Sequence, residues 1–224
     1  MSTLGSGFSS PSGVAVDGSG NVFVADSGNN AVKEILAAGG YTTINTLGSG
    51  FSSPSGVAVD GSGNVFVADR GNNAVKKILA ADGTVITLGS GFLSPSGIAV
   101  DANGNVFVAD SGNNAVKEIL AADGSVVSLG SGFSSPSGVA VDGSGNVFVA
   151  DTGNNAVKEI LAADGTVNTL TGSFFQPTGV SLDAGGNVFV ADFQNNAVRE
   201  ILATGGYITV NTLGTASTSP RALP

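Results

Sequence analysis

The sequence contains no cysteine and no histidine. The first absence excludes disulfides and thiolate chemistry. The second removes the commonest general base and the commonest metal ligand. Charge is scarce as well: Asp, Glu, Lys and Arg make up 11% of the chain, against about 25% in an ordinary globular protein. With 42% hydrophobic residues, that scarcity argues for elements covered on both faces rather than for a disordered polar chain. Only eight residues are Lys or Arg, and the formal net charge is -9. Such a surface repels phosphate backbones and anionic lipid, so neither nucleic acid nor membrane is an expected partner. No apolar run approaches the ~18 residues of a membrane-spanning helix. The start, Met1 to Phe8, lacks the basic and apolar regions of a signal peptide. The richness in Gly, Ser, Asn and Thr leans, by analogy alone, toward an extracellular bacterial setting.

What the chain does have is glycine, 35 residues of it, and a repeat. A Pro-x-Gly-[Val/Ile]-[Ala/Ser]-[Val/Leu]-Asp marker begins at Pro11, Pro54, Pro95, Pro136 and Pro177, at separations of 43, 41, 41 and 41 residues. Each copy continues with Asn-Val-Phe-Val-Ala-Asp, ending at Asp26, Asp69, Asp110, Asp151 and Asp192, and then with Asn-Asn-Ala-Val. In the first copy the pattern predicts strands over Gly13–Asp17, Asn21–Asp26, Ala31–Leu36 and Thr42–Leu47, each short and rich in β-branched or aromatic residues. Asp82-Gly83, Asp123-Gly124 and Asp164-Gly165 read as two-residue hairpins between third and fourth strands.

One such unit cannot bury both of its faces. Val22, Phe23, Val24 and Ala25 are apolar in succession, so sheets must stack face to face. Four short strands in a period of about 40 residues, closed radially, make a β-propeller. The expected fold is therefore all-β, with five four-stranded antiparallel blades over residues 1–213 and a tail, 214–224, that resembles an aborted sixth repeat. A closed five-bladed ring is the first expectation. Part of a six-bladed ring, or blades exchanged between chains, is the alternative, because near-identical repeats favour misassembly.

The string from Pro11 to Val32, repeated five times, resembles the NHL repeat. The resemblance implies a propeller, most often six-bladed, whose loops between fourth and first strands and between second and third strands share one face. It implies protein-binding, RNA-binding, sensor or, in a few members, lyase roles. RNA-binding members present a basic face that this chain cannot supply. Lyase relatives, including streptogramin and amidating lyases, rely on His residues that are absent here. The near-identity of the copies resembles a recently amplified gene or an engineered repeat protein.

Several constellations compete for a site. Asp17, Ser19 and Asn21 have the spacing of a calcium loop, but Val22 and Gly28 stand where an EF-hand needs Gly and Glu. An Asx-type turn is the expected reading. Asp26, Asp69, Asp110, Asp151 and Asp192 would ring one face, where they could hold a cation. Identical use in every copy argues instead for hydrogen bonds to each aspartate's own loop, such as Gly28 to Asn30. Lys33-Glu34 and its copies read as a solvated outer strand with weak ion pairs. Phe23 and its copies read as core between blades, and Phe8, Phe51, Phe92 and Phe133 as plugs in the seams.

No nucleophile–base pair is available, so no enzymatic activity, cofactor or metal is expected. Function is sought where symmetry breaks. The fifth repeat carries Phe174-Phe175-Gln176 where the others have Phe-Ser-Ser or Phe-Leu-Ser, and Phe193-Gln194 where they have Ser-Gly, Arg-Gly or Thr-Gly. Together with Arg70, these residues form the expected patch for a protein, peptide or carbohydrate. Closure of the ring by an atypical terminal repeat is the competing explanation. Two further readings stay open: a repeat protein with no dedicated ligand, and a His-free hydrolase or lyase at the channel mouth. The molecule is expected as a monomer or a blade-exchanged oligomer.

Overall fold

The computed structural model describes residues 4–215. Each of the five repeats forms a four-stranded antiparallel sheet with its strands in sequence order. In blade 1 the strands are Pro11–Val16, Val22–Asp26, Ala31–Ile35 and Ile44–Leu47. Blades 2 to 5 open with innermost strands Pro54–Val59, Pro95–Val100, Pro136–Val141 and Pro177–Leu182. They close with outermost strands Val85–Leu88, Val126–Leu129, Val167–Thr169 and Thr209–Thr215. The protein is thus a five-bladed, all-β propeller. No helix among the described residues is long and apolar enough to cross a membrane.

Local chemistry sets the strand limits. The first strand begins at Pro11, two residues before the expected start. The second begins at Val22 because Asn21 is committed to a turn. The Asn21 amide and side chain donate to the Asp17 carboxylate at 2.8 and 2.9 Å, and its Oδ1 accepts from the Ala37 N–H at 3.0 Å. The same Asx-type turn recurs at Asp60, Asp101, Asp142 and Asp183, as expected for this pattern. The expected two-residue hairpins are corrected. Leu79 N–H pairs with Thr84 O and Gly83 N–H with Leu79 O, both at 2.9 Å, so Ala80 to Gly83 form a four-residue loop. Gly83 sits at its end with φ 73°, where a side chain would be strained. In the fifth blade the last strand runs past Leu213, with Gly214 opposite Val198 and Thr215 opposite Ala197. Residues 216–224 of the expected tail lie outside the described residues.

The core lies between blades rather than within them. Phe23, Ala25 and Val32 of blade 1 pack on Phe51, Val57, Val65, Val67 and Ile78 of blade 2. Equivalent sets join blades 2 and 3, 3 and 4, and 4 and 5. Phe51, Phe92 and Phe133 are buried in these seams, as expected of plugs. At the last seam the rings of Tyr207 and Phe148 meet edge to face, with centroids 5.6 Å apart.

Closure between the first and fifth blades is not made. Innermost strands pack against their neighbours from blade 1 through blade 5, and among the described residues no comparable packing joins blade 5 to blade 1. Val14 is 67% exposed, whereas its counterpart Val57 is 6% exposed. The physical reason is angular. The seam chemistry is the same at each of the four junctions, so each sets a similar turn between sheets, and five such sheets do not bring the last face onto the first.

Candidate functional site

The loop face is held by five copies of one buried carboxylate network. Asp26 is fully buried at the end of the second strand. Its Oδ1 accepts the Ser9 N–H at 2.6 Å, and its Oδ2 accepts Asn29 Nδ2 at 2.7 Å and pairs with Lys33 Nζ at 2.7 Å. Gly28 N–H donates to Ser9 O at 2.8 Å, which ties the two loops of the blade together. Asp69, Asp110, Asp151 and Asp192 repeat the arrangement with Lys76, Lys117, Lys158 and Arg199.

Two expectations are corrected here. The aspartates are structural, but they take an N–H from the preceding loop and a cation from the third strand, not only donors of their own loop. The lysines are not partners of their Glu neighbours in weak surface pairs. Lys33 reaches inward to Asp26 and lies 4.9 Å from the centroid of the Phe8 ring, so its charge is shared between carboxylate and π-face. Glu34 instead accepts from Asn45 at 3.0 Å.

Ionisation follows from these contacts. Burial alone would raise the Asp26 carboxyl, but the bonds from Lys33, Asn29 and Ser9 outweigh it and hold the pKa below its ordinary value. Asp17 is likewise held low, against the effect of burial, by the side chain and N–H of Asn21 and by the Ser19 N–H. Glu118 is pushed the other way by burial and by the charge of Asp101, and Glu159 by burial and Asp142 despite a bond from Asn168. A carboxyl lowered on folding stabilises the fold above its unfolded pKa of about 4 and loses that contribution as pH falls through the folded value. A carboxyl raised on folding acts oppositely, favouring the fold at low pH and losing the benefit as pH rises through its folded value. The lowered groups recur in the turns Asp17, Asp82, Asp123, Asp164 and Asp183. The melting temperature should therefore be nearly flat from pH 8 to 5 and fall steeply below about pH 4, which a pH series of thermal melts would show. Constant melting down to about pH 2 would contradict it.

The symmetry-breaking residues fall into three places. Phe174 is corrected out of the surface patch: it is 6% exposed and occupies the seam position of Phe51, Phe92 and Phe133, with Arg199 5.8 Å from its ring centroid. Phe175 and Phe193 are 49% and 60% exposed. Their loops are joined by Gln194 N–H donating to Phe175 O at 3.1 Å and by Gln194 Nε2 donating to Gln176 Oε1 at 3.1 Å. Phe175, Gln176, Phe193 and Gln194 thus share one surface on blade 5. Arg70 does not join them. It is exposed on blade 2 at the border with blade 3, and no hydrogen bond or ion pair links it to the blade 5 loops among the described residues.

What the sequence did not single out is a groove of about 430 Å³ beside Phe193, lined by Ala191, Asn196 and Val198 among others. It is the uncovered face of blade 5. The signal was positional: residue 27 of blade 1 abuts Pro54 of blade 2, so residue 193 of blade 5 must stand at that blade's outgoing edge. Among the described residues, no group of three or more Asp or Glu side chains is placed to hold a metal ion.

The comparisons agree with this architecture. The chain resembles a solved streptogramin B lyase with a TM-score of 0.77 and 15% identity, covering 94% of this chain and 70% of that one. It also resembles a chain of a nidogen/laminin complex, with a TM-score of 0.79 and 19% identity over 91% of this chain and 78% of the other. A histidine-to-alanine variant of virginiamycin B lyase from Staphylococcus aureus, described as catalytically inactive and bound to quinupristin, matches with a TM-score of 0.74 and 17% identity over 92% and 70% of the two chains. At these identities the likeness is one of fold. No curated protein sequence matches the chain. The NHL repeat model matches residues 8–35, 51–78, 92–119 and 133–160, together half of the sequence, and the chain belongs to the NHL repeat family.

Proposed function

We propose that the protein is a non-catalytic recognition module that binds a protein or peptide through the blade 5 loop face, without a cofactor. The observation that carries the reading is the pair Phe175 and Phe193. They are exposed large aromatics on loops where the other blades place Ser, Leu, Arg or Thr, beside a hydrogen-bonded amide pair suited to backbone or side-chain polar groups. Aromatic anchors of this kind contribute most of the energy at protein interfaces. The nidogen/laminin likeness supports a propeller of this shape as a protein-binding surface, although it extends to fold alone.

The acidic side chains support the absence of catalysis. Asp142 and Asp183 line an opening of about 550 Å³ between blades 4 and 5. Each accepts from two N–H groups and one side-chain amide of its own turn, so each already serves as the acceptor that holds that turn. The strand-end aspartates are equally occupied. No histidine replaces the residue whose loss accompanies inactivity in the lyase variant.

The test is a peptide-display selection on the intact protein, followed by affinity measurements with Phe175→Ser/Phe193→Ser, which installs the residues of blade 1. Selected peptides should bind the double variant at least about tenfold more weakly, a change of about 1.4 kcal/mol, while its melting temperature stays within about 3 °C. Unchanged affinity would remove this surface from the function.

A further inference from the structure

Each of the four seams begins with a phenylalanine of the second strand opposite one charged residue of the third: Phe23 opposite Glu34, Phe66 opposite Lys77, Phe107 opposite Glu118 and Phe148 opposite Glu159. What lies against the ring differs from seam to seam. Between blades 1 and 2 it is a cleft of about 340 Å³, walled by Phe23, Leu47, Val65 and Ile78 and flanked by Asp17 and Glu34. Between blades 3 and 4 it is a cleft of about 330 Å³, with Phe107, Asp101 and Glu118 in the corresponding places. Both volumes are those of small-ligand sites.

The other two seams place a side chain of the protein itself against the ring. Between blades 2 and 3, Lys stands at position 77 where the other repeats have Glu, and its Nζ lies 4.9 Å from the centroid of the Phe66 ring. Between blades 4 and 5, Tyr207 meets Phe148 edge to face. Burial and the nearby charges of Glu159 and Asp142 raise the Tyr207 hydroxyl above its ordinary pKa. The corresponding loops of blades 2 and 4, Ala80 to Gly83 and Ala162 to Gly165, have no tyrosine, so the first and third seams stay open.

The open clefts share a negative charge that no cation meets. Among the described residues every ion pair goes to a strand-end aspartate, so Glu34 and Glu118 have none. Glu34 accepts one bond, from Asn45 Nδ2 at 3.0 Å. Glu118 faces Val127 across the sheet, and burial and the Asp101 charge raise its carboxyl pKa. A calcium or magnesium ion needs about six oxygen ligands, and no group of three or more acidic side chains is placed for one among the described residues. An aromatic face, two carboxylates and aliphatic walls instead suit a cation on an apolar stem. Lys77 already puts such a group against the same face of its own blade.

We propose that the clefts between blades 1 and 2 and between blades 3 and 4 each bind a primary alkylammonium group, the chemistry of a lysine side chain or a free aliphatic amine. The ammonium would lie between the carboxylates and the phenylalanine ring, with its chain along the aliphatic wall. Both clefts adjoin the turns between first and second strands, at the opposite end of the strands from Phe175 and Phe193. The proposal therefore does not depend on the ligand reading above.

The experiment titrates n-butylammonium chloride into the intact protein at constant ionic strength and follows backbone amide shifts. Expected are saturable shifts at Gly63 and Gly83 of the first cleft and at Gly145 and Gly165 of the second, with a Kd on the order of 10 mM. n-Butanol, which has the same chain without the charge, should bind at least about tenfold more weakly. Glu118→Lys, which installs the residue of blade 2, should abolish the shifts at Gly145 and Gly165 and leave those at Gly63 and Gly83. Lys77→Glu should do the reverse and create a third site, with new saturable shifts at Gly104 and Gly124. Nα-acetyl-lysine N-methylamide separates the sources. Binding as tight as that of butylammonium admits a lysine of a partner protein, and binding of butylammonium alone restricts the clefts to free amines; either supports the alkylammonium site. No saturable shift up to about 100 mM, equal binding of butanol, or a Lys77→Glu variant with no third site would overturn the proposal.

Discussion

Asp110→Ala is expected to destabilise the protein by about 3–5 kcal/mol, the usual cost of leaving one partner of a buried ion pair alone. The carboxylate has no solvent exposure, and its removal takes an acceptor from three donors at once: Leu93 N–H at 2.7 Å, which has no other, and Asn113 Nδ2 at 2.7 Å and Lys117 Nζ at 2.6 Å, which keep only Gly91 O. Lys117 would keep Gly91 O at 2.6 Å and the Phe92 ring at 5.3 Å, but neither neutralises its charge. Because the network ties the loop before the first strand to the loop after the second, the variant should also loosen the loop face of blade 3. Chemical denaturation would give the loss in stability, and hydrogen exchange should show it concentrated at Leu93 and Gly112. Asp110→Asn should recover part of the loss, since its carbonyl oxygen can still accept one donor. A loss below about 1 kcal/mol for Asp110→Ala would show that the pair barely offsets its own desolvation.

That network marks how far the sequence could be read. The strands were legible because β-branched residues alternate with turn chemistry at a fixed period, and blade number followed from counting a marker that appears once per sheet. The partners of Asp26 were harder. Ser9 lies 17 residues upstream, and only the folded sheet brings its N–H to the carboxylate. Yet one signal was available: a cation stands seven residues after each strand-end aspartate, Lys in four repeats and Arg199 in the fifth. A position that tolerates Lys or Arg but nothing neutral indicates a buried anion. Phe174 was legible in register as the fifth member of the Phe51 series, but its neighbour Phe175 made the pair look like one surface feature. Closure was not legible at all. It depends on the angle between stacked sheets, which the packing of Phe, Ala and Val across each seam sets and which no single repeat encodes.

The second large effect turns on that stacking. Gly97→Ala is expected to cost about 2–3 kcal/mol, in the range of overpacked cores, whereas the same substitution at Gly179 should cost under about 1 kcal/mol. A Cβ on Gly97 would come within 2.5 Å of Ser137 O and 2.9 Å of the Gly138 Cα. Both are backbone atoms of the next innermost strand, so no rotamer change can relieve the contact and the strands must move apart. Separation would also weaken the bond from Ser96 Oγ to Ser137 O, now 2.8 Å. Gly179 occupies the same place in blade 5, but a Cβ there meets only the Ala191 Cβ, at 3.7 Å, because no sixth strand approaches. Both glycines have ordinary backbone angles, so the comparison isolates the neighbouring blade from any strain of the residue itself. Equilibrium unfolding of the two variants would measure the difference. Equal losses would mean that the face of Gly179 is covered in solution.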